Sequence, residues 1–167
     1  ERVDDIYRVT SLQHGMLFHS LFTGEKDVYF ARFSWRLSAT IDRAAFAEAW
    51  QQVVNRHTSL RTSFCWEGLR EPVQVVHSRQ PVTLHFEDWS TASAEQQAQS
   101  LQEFLMRDQL ERFDFTRAPL LRLVLIRLSE RDHRFIWSFH HAIIDGWSVP
   151  LVLKDVFRIY DALGHGE

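Results

Sequence analysis

The segment SFHHAIIDGWS, residues 138–148, contains two adjacent histidines followed by a turn sequence, and it decides how the rest of the chain is interpreted. The residues that lead into it predict a β-strand over residues 134–141. Asp145 and Gly146 are typical of a turn, and Ser148 is suited to cap a final helix. A histidine at a strand end, with a buried carboxylate to organise the next loop, is one way to build an acyl-transfer site.

The two histidines are consecutive on the predicted strand, so their side chains point to opposite faces of the sheet. Only one of His140 and His141 can face a given cleft, and the other is then a core or supporting residue. Two histidines with satisfied hydrogen bonds inside a sheet are the simpler alternative. A metal site is disfavoured, because adjacent strand histidines diverge and the nine histidines are dispersed without a cysteine cluster.

The composition is that of a globular protein with one domain. The chain has 167 residues, of which 45% are hydrophobic and 25% are charged, and this is enough to bury a core. The net charge is -3 with scattered basic residues, so no nucleic-acid surface and no membrane patch are expected. Cys65 is the single cysteine, which fits a reducing compartment, and we expect the cytoplasm. The chain has no apolar run of membrane-spanning length and begins at Glu1 rather than Met, and we interpret it as a piece of a longer protein.

Strands and helices alternate irregularly along the sequence. Thr10 and Gln13 form a capping box that opens one helix, Asp42 can cap a second, and a long third helix is predicted over residues 93–112. The strand at residues 120–128 is apolar on both faces and should be central. The pattern predicts an α/β sandwich of a sheet against helices. The predicted strands cover residues 29–37, 60–66, 72–76, 82–86, 120–128 and 134–141.

Three further stretches accompany the His-His-x-x-x-Asp-Gly pattern. They are SLQHGMLFH at residues 11–19, RHTSLRTSF at 56–64, and FDF followed by APLLR within 113–122. Together, and in this order, they resemble the motifs of the condensation domains of nonribosomal peptide synthetases, in the chloramphenicol acetyltransferase superfamily. The resemblance covers essentially the whole chain. It implies a chloramphenicol acetyltransferase-like two-layer sandwich, with a mixed sheet packed against helices.

The resemblance also implies roles for individual residues. In the family the aspartate of the motif is structural and pairs with an arginine, for which Arg61 is the first candidate, although the partner could lie outside this chain. Gly146 would permit an unusual backbone angle or a close approach of the substrate. No metal and no directly bound cofactor are expected. The expected catalytic residue is His141, and the expected supporting residues are His140, Asp145, Gly146, Arg61, Trp147 and Ser148.

Members of the family join a carrier-bound acyl or peptidyl thioester, the donor, to a carrier-bound aminoacyl thioester, the acceptor. The expected partners are therefore the upstream and downstream peptidyl carrier proteins, whose phosphopantetheine arms deliver the substrates, and an adjacent adenylation domain. Trp147 and Ser148 follow the glycine and both histidines are present, which favours a peptide-forming domain over the epimerization, heterocyclization and oxygenase-recruiting relatives. The first motif is most like the type that joins two L-configured residues.

The family is built from two halves, and residues 1–167 correspond to the N-terminal half alone. The absent C-terminal half is therefore an expected partner, and the isolated half is expected to be inactive. Two alternatives remain. The first is a non-catalytic module of the same fold that docks a carrier protein or another partner. The second is a trimeric acetyltransferase acting on acyl-coenzyme A, which the motifs near Gln13 and Arg56 disfavour.

Overall fold

The structure is a computed structural model, and it describes residues 2–22 and 27–164. No helix within these ranges is long and apolar enough to cross a membrane. The described elements, in chain order, are β1 (Val3–Arg8), α1 (Ser11–Phe22), β2 (Phe30–Leu37), α2 (Arg43–Arg56), a short 3-10 helix (Thr58–Arg61), β3 (Thr62–Cys65), β4 (Val73–His77), β5 (Leu84–Asp88), α3 (Ala94–Leu110), β6 (Leu121–Ser129), β7 (Asp132–His140) and α4 (Val149–Gly164).

The larger sheet has four strands in the order β2-β7-β6-β5. β5 and β6 run parallel, whereas β7 is antiparallel to both β2 and β6, so the sheet is mixed. β6 is a central strand, as its two apolar faces predict: Leu123 and Leu125 lie in one buried cluster, and Val124 and Ile126 in another. The predicted α/β class, with a mixed sheet packed against helices, is confirmed.

Helices cover this sheet on both faces. On one face α2 and α4 pack against β6 and β7, because the apolar residues of α2 recur at helical spacing and include the fully buried Phe46 and Trp50. On the other face α3 covers a smaller cluster. That cluster consists of Val124, Ile126 and Ile136 of the sheet, with Leu101, Phe104 and Leu105 of α3 against it.

A second sheet contains three antiparallel strands in the order β1-β4-β3. β3 and β4 are the predicted hairpin, and Gly68 in their connection has a φ of 73°, which glycine adopts without a steric penalty. The sequence does not predict β1, because all six of its residues are exposed and VDDIYR has no apolar face.

The connection from β7 to α4, residues 141–148, lies where several elements meet. The start of α1, the chain after α2 and the start of α4 surround it, and together they line a cleft. The sheet therefore delivers the histidine motif to the surface at the end of one of its central strands.

Candidate active site

His141 is the first residue beyond β7, and its ring is half-buried. Its backbone N–H donates to the carbonyl of Tyr29 at 2.9 Å, which fixes the main chain at this point. The ring Nδ1 lies 3.0 Å from the carbonyl oxygen of Ile144. A carbonyl oxygen only accepts, so Nδ1 carries the hydrogen and, in the neutral ring, Nε2 keeps its lone pair. This is the tautomer in which Nε2 can accept a proton.

The cleft beside His141 has a volume of about 410 Å³. Its wall is partly polar and partly apolar, and it is built from three separated parts of the chain. It is lined by Thr10, Gln13, His57, Ser59, His141, Ala142, Ile143, Ile144, Asp145, Ser148, Leu151 and Val152. The arrangement offers a proton acceptor at the edge of an open space that a small polar substrate can enter.

His140 lies on the other side of the chain and is fully buried. Its Nδ1 accepts a hydrogen bond from the N–H of Ala142 at 3.0 Å, so its Nε2 carries the hydrogen. That atom lies 3.2 Å from an oxygen of Asp27 and 3.1 Å from the hydroxyl of Ser20. Burial alone would raise the pKa of Asp27, but the hydrogen bonds from His140, Ser20 and the Tyr29 backbone outweigh it and lower the pKa to about 2. His140 thus binds the start of the loop to α1 and to the chain before β2.

Gln13 of α1 holds the same loop from the cleft side. Its side-chain nitrogen donates to the carbonyl of Ala142 at 3.0 Å and to the side-chain oxygen of Gln74 at 3.2 Å. Its side-chain oxygen accepts from the N–H of Thr10 at 2.9 Å, which completes the predicted capping box. The capping role is predictable from local sequence. The contact with the loop is not, because Ala142 is more than a hundred positions away.

Asp145 is exposed, which corrects the expectation of a buried carboxylate. Its oxygen accepts from the N–H of Ser148 at 2.8 Å, and hydrogen bonds from the side chain and backbone of Ser148 lower its pKa. Ser148 therefore closes a turn with Asp145, and α4 begins one residue later, at Val149. A short polar side chain inside a loop finds its nearest donors within that loop, so the carboxylate organises the turn without being buried.

Arg61 does not pair with Asp145, and the expected ion pair is wrong for the described residues. The buried guanidinium donates to Asp4 of β1 at 2.8 Å and to the carbonyls of Asn55 and His77. These contacts join β1, β4 and the end of α2. The sequence misses them because Asp4 belongs to the strand that it does not predict.

Gly146 and Trp147 lie at the outer side of the loop. Among the described residues Gly68 is the one with positive φ, so an unusual backbone angle does not explain Gly146, and a Cβ there would meet no atom beyond its chain neighbours within 4 Å. The expectation that Gly146 allows a substrate to approach the backbone closely stays a prediction. Trp147 is 91% exposed.

His57 is a residue of the same cleft that the sequence pattern does not single out. Its Nε2 lies 2.9 Å from Asp155 of α4, so a histidine–carboxylate pair borders the same cleft as His141. The hydrogen bond from His57 lowers the pKa of Asp155 and outweighs the effect of burial, and Arg56 and Arg158 lower it further. His57 belongs to the RHTSLRTSF motif, which is the signal that could have found it.

The described residues contain no group of three or more histidine, cysteine, aspartate or glutamate side chains that could hold a metal ion. The groups that border the cleft and can exchange protons include the imidazole rings of His57 and His141, each with an oriented hydrogen bond. Such a set can accept, donate and position protons.

Comparisons with known proteins find similarity to one family. The family model for the condensation domain matches residues 3–167. One of the linear gramicidin synthase proteins of Brevibacillus parabrevis is 44% identical over 165 residues, and the match covers 99% of this chain and 2% of that protein. Gramicidin S synthase 2 of Brevibacillus brevis is 34% identical over 163 residues, covering 98% of this chain and 4% of that protein. The chain is thus similar to a very small part of each of these curated relatives.

Solved structures of condensation domains share the fold of this chain. The starter condensation domain of rhizomide synthetase RzmA superposes with a TM-score of 0.85 at 23% identity, covering 98% of this chain and 40% of that one. The first condensation domain of the CDA synthetase gives a TM-score of 0.86 at 21% identity, covering 99% and 41%. The chain therefore spans about two fifths of the length of these structures.

Proposed function

The chain belongs to the condensation-domain family, and from this premise we propose that it contributes the histidine-bearing half of a site that forms amide bonds. The site joins a donor acyl or peptidyl thioester to an acceptor aminoacyl thioester. The observation that carries this proposal is the orientation of His141, whose Nδ1 donates to Ile144 and whose Nε2 is left as a proton acceptor beside an open cleft.

The proposed reaction begins with attack of the acceptor amine on the donor carbonyl carbon. The new C–N bond places a positive charge on nitrogen, and the carbonyl electrons move to oxygen. Nε2 of His141 takes a proton from that nitrogen, the C–S bond breaks as the carbonyl re-forms, and the protonated imidazole returns the proton to the departing thiolate. His141 also positions the amine, because the same lone pair accepts its N–H before attack.

The supporting residues act on this geometry indirectly. His140 and Gln13 hold Ala142, the residue next to His141, from opposite sides. Asp145 and Ser148 shape the turn whose carbonyl at Ile144 fixes the tautomer of the ring. Each contact restricts the freedom of one imidazole, and a misplaced base loses much of its effect.

We propose that residues 1–167 are the N-terminal half of a two-half domain. The coverage of about 40% of the related structures supports this, and so does the exposure of the cleft to solvent. A C-terminal half would supply the remaining wall, and the isolated half would then be inactive. The resemblance of the first motif favours joining two L-configured residues.

The substrates would arrive on the phosphopantetheine arms of upstream and downstream peptidyl carrier proteins, with an adenylation domain next to the condensation domain. No cofactor of its own is needed for the proposed chemistry, since the thioester already supplies an activated acyl group. The cytoplasm is the proposed compartment, which the free thiol of Cys65 supports.

The test is His141→Ala in the complete two-half domain, with formation of the amide measured in a single turnover. General acid–base catalysis contributes about a hundredfold or more, so a loss of at least that size is expected with an unchanged thermal midpoint. His85→Ala, at an exposed histidine of β5, is the control and should behave like the wild type.

Wild-type turnover in His141→Ala would remove this residue from the mechanism. A wild-type domain that binds loaded carrier proteins but forms no amide would instead identify a docking module. Activity of a trimer on acyl-coenzyme A would identify the acetyltransferase alternative.

A further inference from the structure

The cleft beside His141 contains a second oriented imidazole that the proposed mechanism does not use. Nε2 of His57 lies 2.9 Å from Oδ2 of Asp155, and a carboxylate oxygen can only accept, so Nε2 carries the hydrogen. In the neutral ring Nδ1 then keeps a lone pair. No hydrogen bond to Nδ1 occurs from residues 2–22 or 27–164. His57 therefore presents a free proton acceptor at the cleft, as His141 does.

The charged groups around His57 include one carboxylate and two guanidinium groups. Oδ2 of Asp155 in α4 lies 2.9 Å from Nε2 of the ring, and Arg56 and Arg158 lie 3.8 and 4.0 Å from the same carboxylate. Across the cleft the titratable groups are His141 and Asp145. The ring of His57 is 31% exposed, so a proton that it accepts can pass on to water.

We propose that His57, oriented by Asp155, removes the first proton from the acceptor, an α-ammonium group, and His141 then acts on the resulting amine. The inference rests on the proposed function. The step is R–NH3⁺ plus neutral His57 giving R–NH2 plus imidazolium, with the electron pair of the N–H bond staying on nitrogen. Each imidazole thus accepts one proton. His57 accepts a proton before the amine attacks the donor carbonyl, and His141 accepts one after the attack.

The expected size of the effect follows from the acidity of the acceptor. A free α-amino group has a pKa of roughly 7.7 to 8.0, so only about 10 to 20% of it is neutral at pH 7. An enzyme that lacks His57 as the first proton acceptor can use only this neutral fraction of the amine. At pH 9 nearly all of the amine is neutral, and a first proton acceptor is no longer needed.

The experiment compares His57→Asn with the wild-type two-half domain, using glycinamide as a soluble acceptor and an acyl-pantetheine thioester as donor. The variant should be slower by about five- to tenfold at pH 7 and equal to the wild type at pH 9. Aminooxyacetamide, whose nitrogen is weakly basic and neutral at pH 7, should show no difference at either pH. Asp155→Asn should reproduce the pH-dependent loss, and His85→Asn should show none.

A loss of equal size at pH 7 and pH 9, or with both acceptors, would overturn the proposal in favour of a structural role for His57. Full activity of His57→Asn at pH 7 would overturn it as well. A readout without turnover comes from ¹⁵N NMR of the histidine rings at pH 7.5. Saturating glycinamide should form a hydrogen bond to Nδ1 of His57 and so shift the signal of that nitrogen in the wild type but not in Asp155→Asn. Unchanged His57 signals would refute the inference even if the wild-type domain forms no amide, an outcome that would refute the proposed function separately.

Discussion

His140 and His141 are adjacent and chemically identical, and their partners give them different properties. A backbone N–H at Nδ1 makes His140 a donor through Nε2, whereas a carbonyl at Nδ1 makes His141 an acceptor through Nε2. Strand alternation predicts that one ring faces a cleft and the other does not. It cannot predict the tautomers, because these depend on Ala142, on Ile144 and on Asp27 from a distant part of the chain.

The pair of Asp27 and His140 gives a prediction for stability against pH. The pKa of Asp27 falls from 3.8 to about 2 on folding, so its contribution of about 2 kcal/mol is present above pH 4 and is lost as the pH falls towards 2. Asp27→Asn should therefore lower the free energy of unfolding at pH 7 by about 1 to 2 kcal/mol, because the amide keeps part of the hydrogen bonding. Urea denaturation at several pH values measures this.

The difference between Asp27→Asn and the wild type should shrink steadily between pH 4 and pH 2. Glu67→Gln, at an exposed turn residue, is the control and should follow the wild type at every pH. Equal stability of Asp27→Asn and wild type at pH 7 would show that the pair does not stabilise the fold.

Arg61 and Asp145, the residues expected to pair, serve different parts of the structure, so their substitutions should change the free energy of unfolding by different amounts. Arg61→Ala removes a buried guanidinium that joins β1, β4 and α2 through three hydrogen bonds, one of them from a charged donor to a carboxylate, so a loss of about 2 to 3 kcal/mol is expected. Asp145→Ala removes one exposed turn contact and should lower the free energy of unfolding much less than Arg61→Ala does. Chemical denaturation of both variants measures the difference, and equal losses would contradict it.

Elements with local signals are predictable, and elements that depend on distant contacts are not. Asp42 accepts from the N–H groups of Ala44 and Ala45, and Ser93 forms a capping box, so α2 and α3 start where the sequence predicts. The burial of Asp108 is not predictable from such local signals. It is a carboxylate on the sheet-facing side of α3, and it is buried because Arg32, Arg122 and Ser138 approach it from the sheet strands.

The cleft and several large apolar side chains are exposed to solvent. Trp147 and Leu151 lie at the loop and at the start of α4, and they are 91% and 62% exposed. Large apolar side chains grouped beside a functional cleft are typical of an interface. The sequence supplies the order of the motifs and the fold class. It does not identify this surface, because exposure depends on how α4 lies against the sheet.

The proposed division of the domain into two halves has a consequence for the activity of each half. The 167-residue chain alone should form no amide above the uncatalysed rate, and adding a separately purified C-terminal half should restore formation. The same addition should shield Trp147 from acrylamide, measured as the difference in fluorescence quenching between the wild type and Trp147→Phe. Sedimentation should show a 1:1 complex. Restored activity without shielding would mean that Trp147 lies outside the interface, whereas a 1:1 complex that forms no amide from both thioesters would favour a docking module over an enzyme.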